Sequence, residues 1–159
     1  ITKKIIAAHS ILLTLQGVPA IYYHSLLGSK NDLVGYEESG INRRINREKL
    51  EKNQLVHELE TDTYRQSIFS SLKKLVQIRR SHTAFSPFAT QEILDLGPDV
   101  FAIKRESEEE CIYGIINVTS HNISKKGDFS GMNLLTNQPV TSELELTAYE
   151  VVWIKKAVQ

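Results

Sequence analysis

Residues 17–24 read Gly17-Val-Pro-Ala-Ile-Tyr-Tyr-His24. The run is apolar, β-branched and aromatic without alternation, which predicts a strand buried on both faces. Ahead of it, Thr2 to Gln16 predicts a helix. Ile5, Ala8, Leu12 and Leu15 form one stripe, and Ile6 and Leu13 widen it. Gly17 ends the helix and Pro19 prevents its continuation. Helix followed by buried strand is half of an α/β repeat. A parallel strand needs parallel neighbours, and no second such run occurs in the chain. The chain also begins at Ile1, without methionine. The expectation is a piece of a longer protein.

Downstream, Ser25 to Asn46 contains Gly28, Gly35 and Gly40 and reads as a long loop, a kind usually tied to function. It ends in Arg43, Arg44 and Arg47. Glu48 to Glu60 predicts a short exposed helix held by Leu55, Val56 and Leu59. Tyr64 to His82 is the clearest helix, with Tyr64, Ile68, Leu72, Leu75 and Val76 on one stripe and Asp62 or Thr63 as cap. After Ser86-Pro87 the pattern changes. Short β-rich runs at Glu92–Leu96, Val100–Lys104, Cys111–Val118, Met132–Leu135, Leu144–Leu146 and Tyr149–Ile154 alternate with turn signals, which predicts an antiparallel sandwich. The expected division is 1–85 and 86–159.

Composition narrows the function. The chain has 159 residues, 41% hydrophobic and 24% charged, which excludes a disordered tail or a fibre. Nineteen basic and nineteen acidic residues give zero net charge, which argues against nucleic acid as a partner. No run reaches the ~20 apolar residues of a membrane span. A single cysteine, Cys111, cannot form an intrachain disulfide and fits a reducing, cytoplasmic setting. The five histidines are scattered, so no metal site is expected. Phosphate-loop and nucleophile-elbow patterns are missing as well.

Two candidate features remain. Arginine presents a planar fork that matches carboxylate and phosphate oxygens. Arg43, Arg44 and Arg47 could therefore hold an anionic or polyhydroxyl ligand, or they could pair with Glu37, Glu38, Glu48 and Glu51 nearby. His24 ends the expected strand. In a barrel of parallel strands that end faces the active site, which brings in His24, Asn31 and Asp32.

The residues also carry a resemblance. Gly17-Val-Pro-Ala-Ile-Tyr-Tyr23 resembles the eighth-strand signature of the α-amylase superfamily. Gly28-Ser-Lys-Asn-Asp32 and Arg43-Arg-Ile-Asn-Arg47 are similar to the Gly-x-Lys-Asn-Asp and Gly-Arg-Asp-Ile-Asn-Arg blocks of sucrose phosphorylase and its relatives. Asp95-Leu-Gly97 through Trp153 resembles the small β-domain that follows the barrel. The resemblance implies the incomplete C-terminal end of a (β/α)8 barrel followed by a small antiparallel β-sandwich domain. It implies retaining phosphorolysis of an α-glucoside, with inorganic phosphate as co-substrate, no cofactor, and α-glucose 1-phosphate as product. The family's catalytic carboxylates would all precede residue 1, so no catalytic residue is expected in this chain and the chain alone should be inactive. Its partner would be the N-terminal barrel of the parent protein.

The family's acceptor-binding arginine matches Arg43. Arg44 stands where sucrose phosphorylase has Asp, which favours an anionic leaving group such as glycerate or a sugar phosphate over fructose. The substrate-binding candidates are Arg43, Arg44, Asn31, Asp32 and His24. An α-amylase-type hydrolase and a free-standing β-sandwich binding module, with Tyr113, Tyr149 or Trp153 as a stacking platform, are the rival readings.

Overall fold

The computed structural model describes residues 1–157. In chain order the elements are α1 (Thr2–Thr14), α2 (Tyr23–Leu26), α3 (Leu33–Ser39), a 3-10 turn (Asn42–Asn46), α4 (Lys52–Thr61), α5 (Thr63–Ser81), a second 3-10 turn (Thr83–Phe85), and strands β1 (Thr90–Ile93), β2 (Val100–Glu106), β3 (Cys111–Asn117), β4 (Ile123–Lys126), β5 (Gly131–Asn133), β6 (Gln138–Val140), β7 (Glu143–Leu146) and β8 (Val151–Lys156). They form two compact units. One gathers Lys3–Pro19 and the chain from Lys73 on; the other is Ala20–Leu72. The units therefore do not follow the division at residue 85 expected from the change in sequence pattern. α1 and the second half of α5 belong with the strands.

In the strand-bearing unit, the expected antiparallel sandwich is present. Its larger sheet has the order β1-β2-β3-β8-β5-β6, and β4 pairs with β7 in a second, two-stranded sheet. Strand alternation sends Val100, Ala102, Ile115, Val152 and Ile154 to one face, where they meet Leu144 and Leu146 of β7 and Phe129. The opposite face carries Ile103, Gly114 and Trp153, which lie in register across β2, β3 and β8. Sequence reading finds six of the eight strands. It misses β4, which is polar, and β6, where Gln138-Pro139 reads as a turn. Pro139 is tolerated because β6 is an edge strand that pairs with β5 alone.

α1 forms where expected but buries a different face. Ala7, Ser10, Leu13 and Thr14 are buried, while Leu12 and Leu15 are each 36% exposed. The hydroxyls of Ser10 and Thr14 return their protons to the helix's own carbonyls, at Ile6 (2.7 Å) and Ser10 (2.5 Å). Polar side chains can thus be buried without penalty. The Thr14 hydroxyl also accepts from Trp153 Nε1 at 2.9 Å. A Cβ on Gly114 would lie 2.2 Å from Thr14 Cγ2, so only glycine lets the helix approach β3.

The last carbonyls of α1 have no partners within the helix. Two buried arginines supply them. Arg79 donates to the carbonyls of Leu13, Leu15 and Gly17, and Arg105 to those of Thr14 (2.9 Å), Ser86 (2.7 Å) and Thr90 (3.2 Å). Burial and the neighbouring Arg79 charge push the Arg105 guanidinium down to about 10, still charged at neutral pH. A cation at a helix C-terminus is favoured by the dipole. His82, Lys155 and the Ala84 N–H converge in the same unit on the Glu110 carboxylate.

The other unit departs more from expectation. Val18 to Tyr22 is not a strand, and Val18 is 85% exposed. A lone strand has no neighbour to take its backbone hydrogen bonds, and Pro19 offers no donor, so the segment stays irregular. The presumed loop from Ser25 to Asn46 is mostly helical turns: α2 takes in His24 to Leu26, α3 is capped by Asp32, and the 3-10 turn covers the arginines. α4 begins later than expected, at Lys52, where the Glu51 carboxylate accepts from the Gln54 N–H at 2.7 Å. α5 matches expectation. Asp62 caps it through the Tyr64 N–H, and Ile68, Leu72 and Leu75 are buried.

Candidate functional site

The sequence-predicted site residues all fall in the Ala20–Leu72 unit, in two clusters. The first is built on α2. His24 is 4% exposed and its ring lies 4.0 Å from that of Tyr23 and 5.2 Å from that of Tyr22. Its Nδ1 meets Ser29 Oγ at 2.8 Å, and its carbonyl accepts from the Ser29 N–H at 2.8 Å. Gly28, at φ +62°, turns the chain back between them. His24 Nε2 is buried and has no hydrogen-bond partner among the described residues. The ring lines a cavity of about 240 Å³, together with Tyr22, Ser25, Ser29, Lys30, Asn31 and Asn46. His24 and Asn31 of the predicted set thus share one cavity, joined by Lys30 and Asn46.

The second cluster holds Asp32 and Arg44. Asp32 Oδ1 accepts from the Gly35 N–H at 2.9 Å, and Oδ2 lies 3.0 Å from Arg44 Nη2. A Cβ on Gly35 would sit 2.4 Å from Asp32 Oδ2 and 2.8 Å from Arg44 Nε, so the pair fits because position 35 is glycine. Arg44 Nη1 also donates to the Arg47 carbonyl at 2.7 Å, and the Asp32 N–H donates to the Ile45 carbonyl at 2.8 Å. These bonds tie the start of α3 to the arginine turn. The carboxylate that meets Arg44 is therefore Asp32, not one of the four glutamates considered from sequence. Arg43 is exposed and makes no ion pair among the described residues.

Sequence reading misses Arg65. It is 4% exposed, reaches both oxygens of Glu48 at 2.9 Å, meets Glu58 Oε2 at 2.8 Å, and donates to the Leu27 carbonyl at 2.8 Å. A signal exists: residues 65, 68, 72, 75 and 79 share the apolar stripe of α5, so an arginine sits at each end of a buried face. Arg65 thereby joins the end of α2 to Glu48 and to α4.

The aromatic-platform expectation resolves toward packing. Trp153 is fully buried against Phe85, with ring centroids 4.6 Å apart, and Tyr113 packs edge-on to Phe129. Burial raises the Cys111 thiol above its usual range, so it is not a poised nucleophile. Among the described residues no cluster of three or more His, Cys, Asp or Glu is placed to hold a metal ion, and no helix is long and apolar enough to cross a membrane.

No protein-family model matches the chain. Three curated relatives do, among them the following two. A glucosylglycerate phosphorylase of Escherichia coli (strain K12) is 37% identical over 157 residues, covering 96% of this chain and 28% of that protein. One from Allomeiothermus silvanus is 39% identical over 152 residues, covering 95% and 26%. The chain thus spans about a quarter of the length of the relatives it matches. A maltogenic amylase from S. marinus shares the fold at a TM-score of 0.72 and 20% identity, over 96% of this chain and 19% of that one. Along nearly its whole length the chain is thus similar in sequence to about a quarter of the length of the glucosylglycerate phosphorylases, and it shares its fold with part of the maltogenic amylase.

Proposed function

We propose that this chain is part of a retaining α-glucoside phosphorylase and that it helps to build the side of the site that holds the leaving group. Glucosylglycerate is the favoured substrate. In the proposed reaction a carboxylate outside these residues attacks C1 and forms a glucosyl ester. The bond from C1 to glycerate oxygen breaks, and a carboxylic acid protonates that oxygen. Phosphate oxygen then attacks C1, the ester bond from C1 to the nucleophilic carboxylate breaks and frees that carboxylate, the phosphate proton goes to the same acid now acting as base, and α-glucose 1-phosphate leaves. Phosphate is a co-substrate and no cofactor takes part. The 159 residues alone carry no catalytic carboxylate in this scheme and are inactive. A cytoplasmic setting suits a product that keeps its phosphate.

The observation that carries this reading is the similarity to glucosylglycerate phosphorylases along nearly the whole chain. Arg43, Arg44, Asn31, Asp32 and His24 are the substrate-side residues. Arg43 is unpaired and can reach a ligand. Arg44, neutralised by Asp32, shapes the turn that presents Arg43.

The test uses the full-length protein with phosphate and, in turn, glucosylglycerate, sucrose phosphate or sucrose. α-Glucose 1-phosphate formed from glucosylglycerate, with little from sucrose, is the expected result. Sugar release independent of phosphate points instead to the hydrolase reading. Absence of any glucose 1-phosphate removes the phosphorylase assignment.

A further inference from the structure

The His24 cavity has a chemistry of its own. Among the described residues its lining holds one cation, Lys30, and no carboxylate. Three other lining groups can donate: the hydroxyl of Ser25 and the amides of Asn31 and Asn46. Of the two tautomers compatible with the Nδ1–Ser29 contact, the one in which the Ser29 hydroxyl donates to Nδ1 puts the imidazole proton on Nε2. That N–H is the buried polar side-chain atom left without a partner among the described residues. Buried donors are ordinarily satisfied, and this unsatisfied one belongs to a ring that lines the cavity. Lys30 Nζ lies 5.4 Å from the Tyr64 ring centroid and is not engaged by a carboxylate. Arg44, by contrast, is already paired with Asp32.

We propose that the cavity formed by His24, Lys30, Asn31 and Asn46 binds an oxyanion, a carboxylate or phosphate group, and that Lys30 rather than Arg44 supplies its charge. Within the phosphorylase reading, on which this assignment of a biological source rests, the oxyanion is either the carboxylate of the leaving acid or the inorganic phosphate. A charge-assisted hydrogen bond accounts for a change of about tenfold or more in affinity.

Direct binding of glycerate, of inorganic phosphate and of neutral glycerol to the full-length protein is measured by calorimetry for the wild type and for Lys30→Met and Ser29→Ala. Lys30 is exposed, so its substitution leaves the fold intact; Ser29→Ala frees Nδ1 and lets the imidazole proton move away from Nε2. We expect Lys30→Met to weaken one oxyanion about tenfold or more, Ser29→Ala to weaken the same one, and glycerol to be unaffected. Loss confined to glycerate makes the cavity the leaving-group seat; loss confined to phosphate makes it the co-substrate seat. Wild-type affinities retained for both anions in Lys30→Met overturn the proposal. Product assays separate this from the reaction assigned above. Lys30-dependent anion binding in a protein that forms no glucose 1-phosphate keeps the cavity and removes the phosphorylase. Phosphorolysis with Lys30-independent binding does the reverse.

Discussion

Gly114→Ala tests the seating of α1 on the sheet. The added methyl would lie 2.2 Å from Thr14 Cγ2 and 3.4 Å from its Cβ and Oγ1. Carbon atoms prefer about 3.5–4.0 Å, so something must move by about 1.5 Å. Thr14 cannot simply rotate, because its hydroxyl is held between the Ser10 carbonyl at 2.5 Å and Trp153 Nε1 at 2.9 Å. Overpacking of this kind costs about 1–3 kcal/mol, and the fixed strand and helix put this site at the upper end. Replacing a strand glycine returns about 0.5–1 kcal/mol of chain entropy. The expected net loss is about 2 kcal/mol. Urea unfolding followed through Trp153, the only tryptophan, reads it directly. Thr14→Ser removes Cγ2 and keeps the hydroxyl, so the double variant should recover about 1 kcal/mol or more relative to the sum of the single changes. A Gly114→Ala variant as stable as wild type, or a strictly additive double variant, would refute the steric argument.

Two further outcomes follow from the buried charges. Arg105→Met leaves the carbonyls of Thr14, Ser86 and Thr90 without donors and should cost about 3–5 kcal/mol in the same unfolding experiment. Arg105→Lys should rescue only part of this, since one ammonium cannot span three carbonyls as a planar fork does. Burial pushes the Glu110 carboxyl up, but the hydrogen bonds from Lys155, His82 and the Ala84 N–H outweigh it and hold it at about 2, below the ordinary 4.5. A depressed carboxyl stabilises the fold above its unfolded value and loses that contribution as pH falls. Stability should therefore decline between pH 4.5 and 2, and Glu110→Gln should flatten that limb in thermal unfolding across this range.

Strands β2, β3, β7 and β8 were readable because alternation and turn residues are local signals. α5 was readable for the same reason, since its apolar stripe repeats at helical spacing. The face of α1 was not. Leu12 and the following Leu15 are each 36% exposed, yet Ser10 and Thr14 are buried beside Ala7 and Leu13, because small hydroxylated side chains fit where Gly114 lets the helix approach. Val18 to Tyr22 has strand composition and no strand partner, and pairing is not a property of one segment. Among the site candidates, motif blocks pointed to His24, Asn31, Asp32 and Arg44. The division into a donor-lined cavity and a closed Asp32–Arg44 pair depends on how α2, α3 and the arginine turn fold back on one another. Arg79 and Arg105 gave no motif at all, since their partners are backbone carbonyls far along the chain.

The dependence of α1 on those two arginines has a consequence for biosynthesis. The carbonyl of Leu13 waits for a donor 66 residues later, and that of Thr14 for one 91 residues later. At about 5–20 residues per second on the ribosome, the end of this helix emerges roughly 5–20 s before its second arginine exists. Until then its last turn can only fray into water. Within this segment the first helix is thus among the last elements to be locked, and a nascent chain paused before residue 105 would hold α1 in a state that a chaperone or a protease can recognise.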